Sequence, residues 1–188
     1  MSERPSARQA ADRALVLYAL VRRATIEAIV EESNDLVRRR QAESARRETE
    51  RWLERESLRD VLTETERTLF EAETAAWPPE AIADGMWRKE ALGVLLWALR
   101  AVPKLPPINE EFEVEELNAA IEQSGSVSVF RSSARLRDPG DIEAAWREAD
   151  TWFGATEGAL GEDRTLASIS AERSRALGWL RDTGAPVA

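Results

Sequence analysis

The 188-residue chain contains no cysteine and no histidine. Without thiols there is no disulfide, no thiolate nucleophile and no cysteine-built zinc site. Without imidazole the commonest acid–base group at neutral pH is missing. Lysine is scarce as well, with Lys89 and Lys104 against 24 arginines, and Tyr18 is the single tyrosine. Any chemistry would have to run on carboxylates, serine, two amines or one phenol. Nine glycines, eight prolines and few β-branched residues leave a composition that favours helix. No apolar run approaches the ~20 residues that cross a bilayer, the longest being Ala91–Leu99. The opening Met1-Ser-Glu-Arg-Pro-Ser6 has no apolar signal core behind it. The expectation is a cytoplasmic protein with no membrane role.

What remains is ordinary globular composition, 43% apolar and 32% charged. The length suits one helical domain over residues 1–188, with residues 1–7 and 184–188 as flexible ends. The net charge of −9 is uneven. Residues 1–60 carry 13 arginines against 12 acids, whereas residues 61–125 carry five bases against 13 acids. An acidic chain is a poor nucleic-acid ligand, because phosphate neutralisation drives that binding. The clusters Arg38–Arg40 and Arg46-Arg47 are interleaved with Glu43, Glu48, Glu50 and Glu54, and read as a solvated helix laced with i,i+4 pairs.

Periodicity predicts an all-α bundle of about six helices. Residues 8–37 begin with Ala14–Val21, apolar all round and therefore buried, and continue as a stripe of Ile26, Ile29, Val30, Ser33 and Val37. Thr63-Glu-Thr-Glu66 is a capping box opening a helix through Ala75. Asp84 would cap a central helix over 85–101, stopped by Pro103, Pro106 and Pro107. An acidic helix follows at Glu110–Gln123. Ser124–Arg137 reads as loop, with Val127 and Val129 locally extended. Asp138-Pro139 starts a helix whose stripe is Ile142, Ala145, Trp146, Ala149, Trp152, Phe153 and Leu160. The last helix covers about 168–182, with Gly184 as its stop. Trp87, Trp97, Trp146, Trp152 and Trp179 lie near apolar stripes and read mostly as core.

Two helices share an Ala-Leu-Gly echo, at Ala91-Leu-Gly93 and Ala176-Leu-Gly178. Each sets one ion on its apolar side. Glu90 falls between Trp97 and Val94, and Arg173 between Leu180 and Leu177. A buried charge is costly unless paired. The two would form a structural ion pair between helices or would line a ligand pocket, and buried pairs more often fix register than do chemistry. Gly93 and Gly178 suit close helix approach.

The blocks Arg13-Ala14-Leu15, Trp87–Leu99, Leu105-Pro106, Leu136-Arg137-Asp-Pro-Gly-Asp141-Ile142 and Glu172–Leu180 occur in order along the chain. In these it resembles a widespread bacterial family catalogued as a domain of unknown function. The resemblance covers most of residues 8–182 and implies the same helical fold. It implies no activity, and the chain departs from the family at polar positions. Ser174 stands where the family usually has histidine, and Phe153-Gly154 stands where it has a His-Trp pair.

With the catalytic inventory so thin, the sequence reads as a non-enzymatic interaction factor of the immunity or inhibitor type, with no cofactor and no catalytic metal. One alternative is an all-α, Mg²⁺-dependent nucleotide hydrolase resembling the MazG type, with Glu27, Glu31, Glu32 and Asp35 as its acids. Another is a small-ligand sensor near Glu90 and Arg173. The candidate partner surface is Glu110, Glu111, Glu113, Glu115 and Glu116, five acids in seven residues with no base among them. Helix N-terminal charge compensation accounts for two or three of them. The excess suits a basic protein surface.

Overall fold

A computed structural model describes residues 4–31, 35–156 and 163–181. They form eight α-helices and a 3₁₀ turn, with no strand among them. The helices are α1 (Ala7–Glu31), α2 (Leu36–Arg55), α3 (Glu64–Glu71), α4 (Pro79–Ala98), α5 (Val114–Glu122), α6 (Val127–Ser133), α7 (Pro139–Thr156) and α8 (Asp163–Arg181). No described helix is long and apolar enough to cross a membrane. The all-α class holds, and the count rises from about six to eight. The chain divides into two compact units, Leu15–Arg88 and Met1–Ala14 with Lys89–Ala188, the dividing points falling within α1 and α4.

In the Leu15–Arg88 unit, Leu15 to Val21 are all buried, as an all-round apolar segment requires. The apolar stripe does not continue to Val37. Asp35 caps a new helix, its side chain accepting from the Val37 N–H at 2.8 Å. The restart changes the helical phase, so Leu36 and Val37 lie exposed, and Ile29, near the end of α1, is exposed as well. Ser33 of that stripe lies outside the described residues. On α2 only Ala42, Thr49 and Leu53 are buried. Its outer face carries the expected ladder, with Glu43 bonded to Arg46 at 2.9 Å and Arg47 at 2.7 Å, and Arg46 also to Glu50. The Thr63–Glu66 capping box is present. Its helix ends at Glu71 rather than Ala75, because the backbone turns extended at Ala72 (φ −64°, ψ 144°). Helix α4 opens at Pro79, not at 85, since proline is well placed in a first turn where no N–H is needed. Asp84 is therefore interior to α4 and caps nothing.

The other unit holds the second half of α4 and α5 to α8. Residues 4–6 are tied in rather than loose: Pro5 is buried, Arg4 donates to the Arg181 carbonyl at 3.0 Å, and Ser6 and Gln9 cap one another. The stretch expected to be loop contains α6. Ser126 caps it through the Val129 N–H at 3.2 Å, and Phe130 is buried beneath it. Burial of one aromatic and a good cap outweigh two β-branched residues of modest propensity. Helix α7 starts at Pro139 as predicted and packs along α8. Ile142 and Ala149 of its stripe are buried, but Trp152 and Phe153 are exposed, and Leu160 lies outside the described residues. Of the five helical tryptophans only Trp97 is fully core. Trp87, Trp146 and Trp179 are half-buried. The stop at Gly184 also lies outside the described residues.

Candidate functional site

Glu90 (0% exposed) and Arg173 (2% exposed) come together inside the Lys89–Ala188 part of the chain. The Arg173 Nε donates to Glu90 Oε2 at 2.9 Å and its Nη2 approaches the same oxygen at 2.8 Å. The remaining donors run to backbone carbonyls, Nη1 to Pro106 at 2.9 Å and Pro107 at 3.2 Å, Nη2 to Glu110 at 2.6 Å. Glu90 Oε1 accepts the Phe112 N–H at 2.9 Å. Every N–H of the guanidinium thus has an acceptor. The pair is a clamp that holds the irregular 106–112 segment against α4 and α8. Burial pushes the Glu90 carboxyl above the usual carboxylate range, while Arg173 and the Phe112 N–H pull it back in part. The guanidinium's donors are all taken up by the chain itself, so the arrangement is suited to fixing a loop.

The Phe112 ring lies under the guanidinium, 5.1 Å from it, and fills the notch at Gly93. A Cβ at Gly93 would meet that ring at 2.3 Å. Gly93 therefore admits a loop aromatic, not a neighbouring helix. Gly178 does face a helix residue, Trp146, at 3.6 Å. Gly93→Ala is expected to lower stability by about 1–3 kcal/mol through overpacking. Gly140→Ala, which would meet nothing within 4 Å, serves as its control in the same thermal melts. Equal melting temperatures for the two variants would remove the notch from the account.

The clamp presents the acidic segment. The expected helix over 110–123 begins only at Val114, with Glu113 at its N-cap position. Glu110 and Glu111 precede it in the clamped turn. All five acids are exposed, and all five line one open groove of about 830 Å³. The chain's two lysines, Lys89 and Lys104, line it too. Lys89 bonds Glu111, which leaves the groove strongly negative.

The Leu15–Arg88 unit repeats the clamp with residues that spacing alone did not single out as a pair. Arg23 and Glu27, both 0% exposed, bond at 2.9 Å through Nε and 2.7 Å through Nη2. Arg23 Nη2 also donates to the Ala72 and Glu73 carbonyls at 3.1 and 3.2 Å, and Glu27 Oε2 accepts the Ala75 N–H at 2.7 Å. Trp77 lies 5.5 Å from the guanidinium. Burial lowers the Arg23 pKa, against the pull of Glu27. Nearby, Glu43 is held far below the usual carboxylate range by its hydrogen bonds from Arg46, Thr74 and Arg47. Arg137 braces a third irregular stretch, donating to the carbonyls of Trp97 at 2.7 Å, Val102 at 3.3 Å and Pro103 at 2.9 Å.

Among the described residues the hydrolase acids are not gathered into one site. Glu27 is committed to Arg23, Asp35 caps α2, Glu31 is exposed, and Glu32 lies outside the described residues. No group of three carboxylates among the described residues is placed to hold a metal ion. Residues 2–186 match a family described as a domain of unknown function (DUF4272). No curated protein and no solved structure matches the chain.

Proposed function

We propose that this chain, which belongs to the DUF4272 family, is a non-catalytic interaction factor whose acidic groove docks a basic surface of another protein. The supporting observation is the presentation of Glu110, Glu111, Glu113, Glu115 and Glu116 around one groove whose backbone is pinned by Glu90 and Arg173. Pinning lowers the ordering cost of association, and excess charge steers the encounter. The same reading places the chain in the bacterial cytoplasm, with no cofactor and no nucleic-acid or membrane partner.

Association with a lysine-rich probe peptide, and with any partner protein isolated, should slow steeply as salt rises and the Debye length contracts from ~10 Å at 0.1 M to ~3 Å at 1 M. Replacing Glu111, Glu115 and Glu116 by glutamine should cut the on-rate by about tenfold. The melting temperature should hardly move, because exposed pairs such as Lys89–Glu111 contribute little. A partner whose on-rate ignores both salt and these substitutions docks elsewhere, and the reading then fails.

A further inference from the structure

A separate pocket of about 300 Å³ lies within the Leu15–Arg88 unit, between α1 and α2. Tyr18 and Arg22 line it from α1, and Glu48, Arg51, Trp52 and Arg55 from α2. The spacings are i,i+4 on α1 and i, i+3, i+4, i+7 on α2, so each set occupies one helix face. None of the six belongs to a clamp or to the acidic groove. Tyr18 and Trp52 meet edge to face with centroids 6.1 Å apart, and Trp52 is only half-buried. Arg22 sits 5.5 Å from the Tyr18 ring and donates to its hydroxyl at 3.3 Å.

The charges here are not used up internally. On the same helix, Arg46 and Arg47 are taken up by Glu43 and Glu50. Arg51 instead donates only to the Arg47 carbonyl at 3.2 Å, and neither it nor Arg22 has a carboxylate partner among the described residues. Arg55 reaches Glu56 at 3.4 Å. In a chain of net charge −9, three guanidiniums around an aromatic pair form a local site for an anion. Guanidinium forks match phosphate oxygens, and an indole offers a stacking surface to a flat ring. Glu48 opposes a bare anion at its end of the pocket and accepts N–H groups. The volume is at the small end of ligand pockets, about 300–1,000 Å³.

We propose that this pocket binds a free nucleoside monophosphate, its phosphate held by Arg22, Arg51 and Arg55, its base against Trp52 with an N–H toward Glu48. Calorimetric titration of the full chain at low salt with the four common nucleoside monophosphates, phenyl phosphate and inorganic phosphate tests it. At least one nucleotide should bind about tenfold more tightly than inorganic phosphate, and more tightly than phenyl phosphate, whose ring carries no N–H. Arg51→Gln and Arg22→Gln should each weaken it by about tenfold or more, with unchanged melting temperatures because both residues are exposed. Trp52→Leu should bring the nucleotide down to the level of phosphate; if that variant does not fold, Arg51→Gln decides. Absence of nucleotide binding, parity with phenyl or inorganic phosphate, or indifference to both arginine variants would overturn the proposal. So would a single-stranded oligonucleotide that outcompetes every mononucleotide, which would assign the pocket to nucleic acid.

Discussion

Glu90→Ala should lower folding stability by about 3–5 kcal/mol, the range seen when one partner of a buried pair is removed and the other stays charged and uncompensated. Three consequences add in the same direction. Arg173 keeps its charge at 2% exposure, the Phe112 N–H loses its acceptor, and the 106–112 segment loses half of its clamp. Glu90→Gln should cost less, since its amide oxygen can still accept one of those bonds. The pH dependence separates the two contributions of the carboxylate. Burial sets the folded pKa above the unfolded one, so the folded state takes up its proton first as pH falls. The contribution of this group is fully present below the ordinary carboxylate pKa and is lost as pH rises through the raised folded value. The stability difference between wild type and Glu90→Gln should therefore shift in favour of the wild type as pH drops toward that range. Denaturant titrations at a series of pH values check this. The opposite slope would mean that Arg173 outweighs burial.

A loss of similar size, about 3–5 kcal/mol, is expected for Glu27→Ala. Arg23 would be left charged at 0% exposure, and its Nη1 already lacks a hydrogen-bond acceptor. The Ala75 N–H would lose its partner where the backbone takes a left-handed turn. Replacing both charges, Arg23→Met with Glu27→Leu, removes the uncompensated ion and should recover part of the loss, since apolar isosteres of buried pairs are often tolerated. Recovery should be incomplete, because the Ala72 and Glu73 carbonyls would still lack their donor. The midpoint of denaturant unfolding at constant slope reads both variants. A Glu27→Ala variant within about 1 kcal/mol of wild type would show that the pair behaves as though it were exposed.

Helical class, the Thr63 cap and the Pro139 start were legible because each depends on residues three or four apart. So were the inward positions of Glu90 and Arg173 on their helix wheels. The same test applied to α1 places Arg23 and Glu27 among Val16, Leu20 and Val30; the pair is masked because Glu27 also fits a string of acids. Other features had no local signature. That Arg173 would reach the carbonyls of Pro106, Pro107 and Glu110, more than sixty positions away, follows from tertiary placement alone. Nothing near Gly93 announces the ring of Phe112. Helix α6 was concealed by its valines, since propensity is a weak guide where one buried aromatic anchors a short segment. The acidic run was visible as composition, but its gathering around one groove depended on a turn held from outside.

The near-absence of lysine gives that groove a chemical address. Both side-chain amines of the chain, Lys89 and Lys104, lie on its wall, whereas the arginines that brace the loops carry no primary amine. An acyl group delivered to a side-chain amine, by an enzyme or by a reagent, therefore lands at the acidic groove and at no other side chain. Each acylation removes one of its positive charges, and at Lys89 it also frees Glu111. The groove would become more negative, and at Lys89 the lost charge would also let burial push the Glu90 carboxyl further up. Acylation would thus tune this surface and, through Glu90, the clamp beneath it.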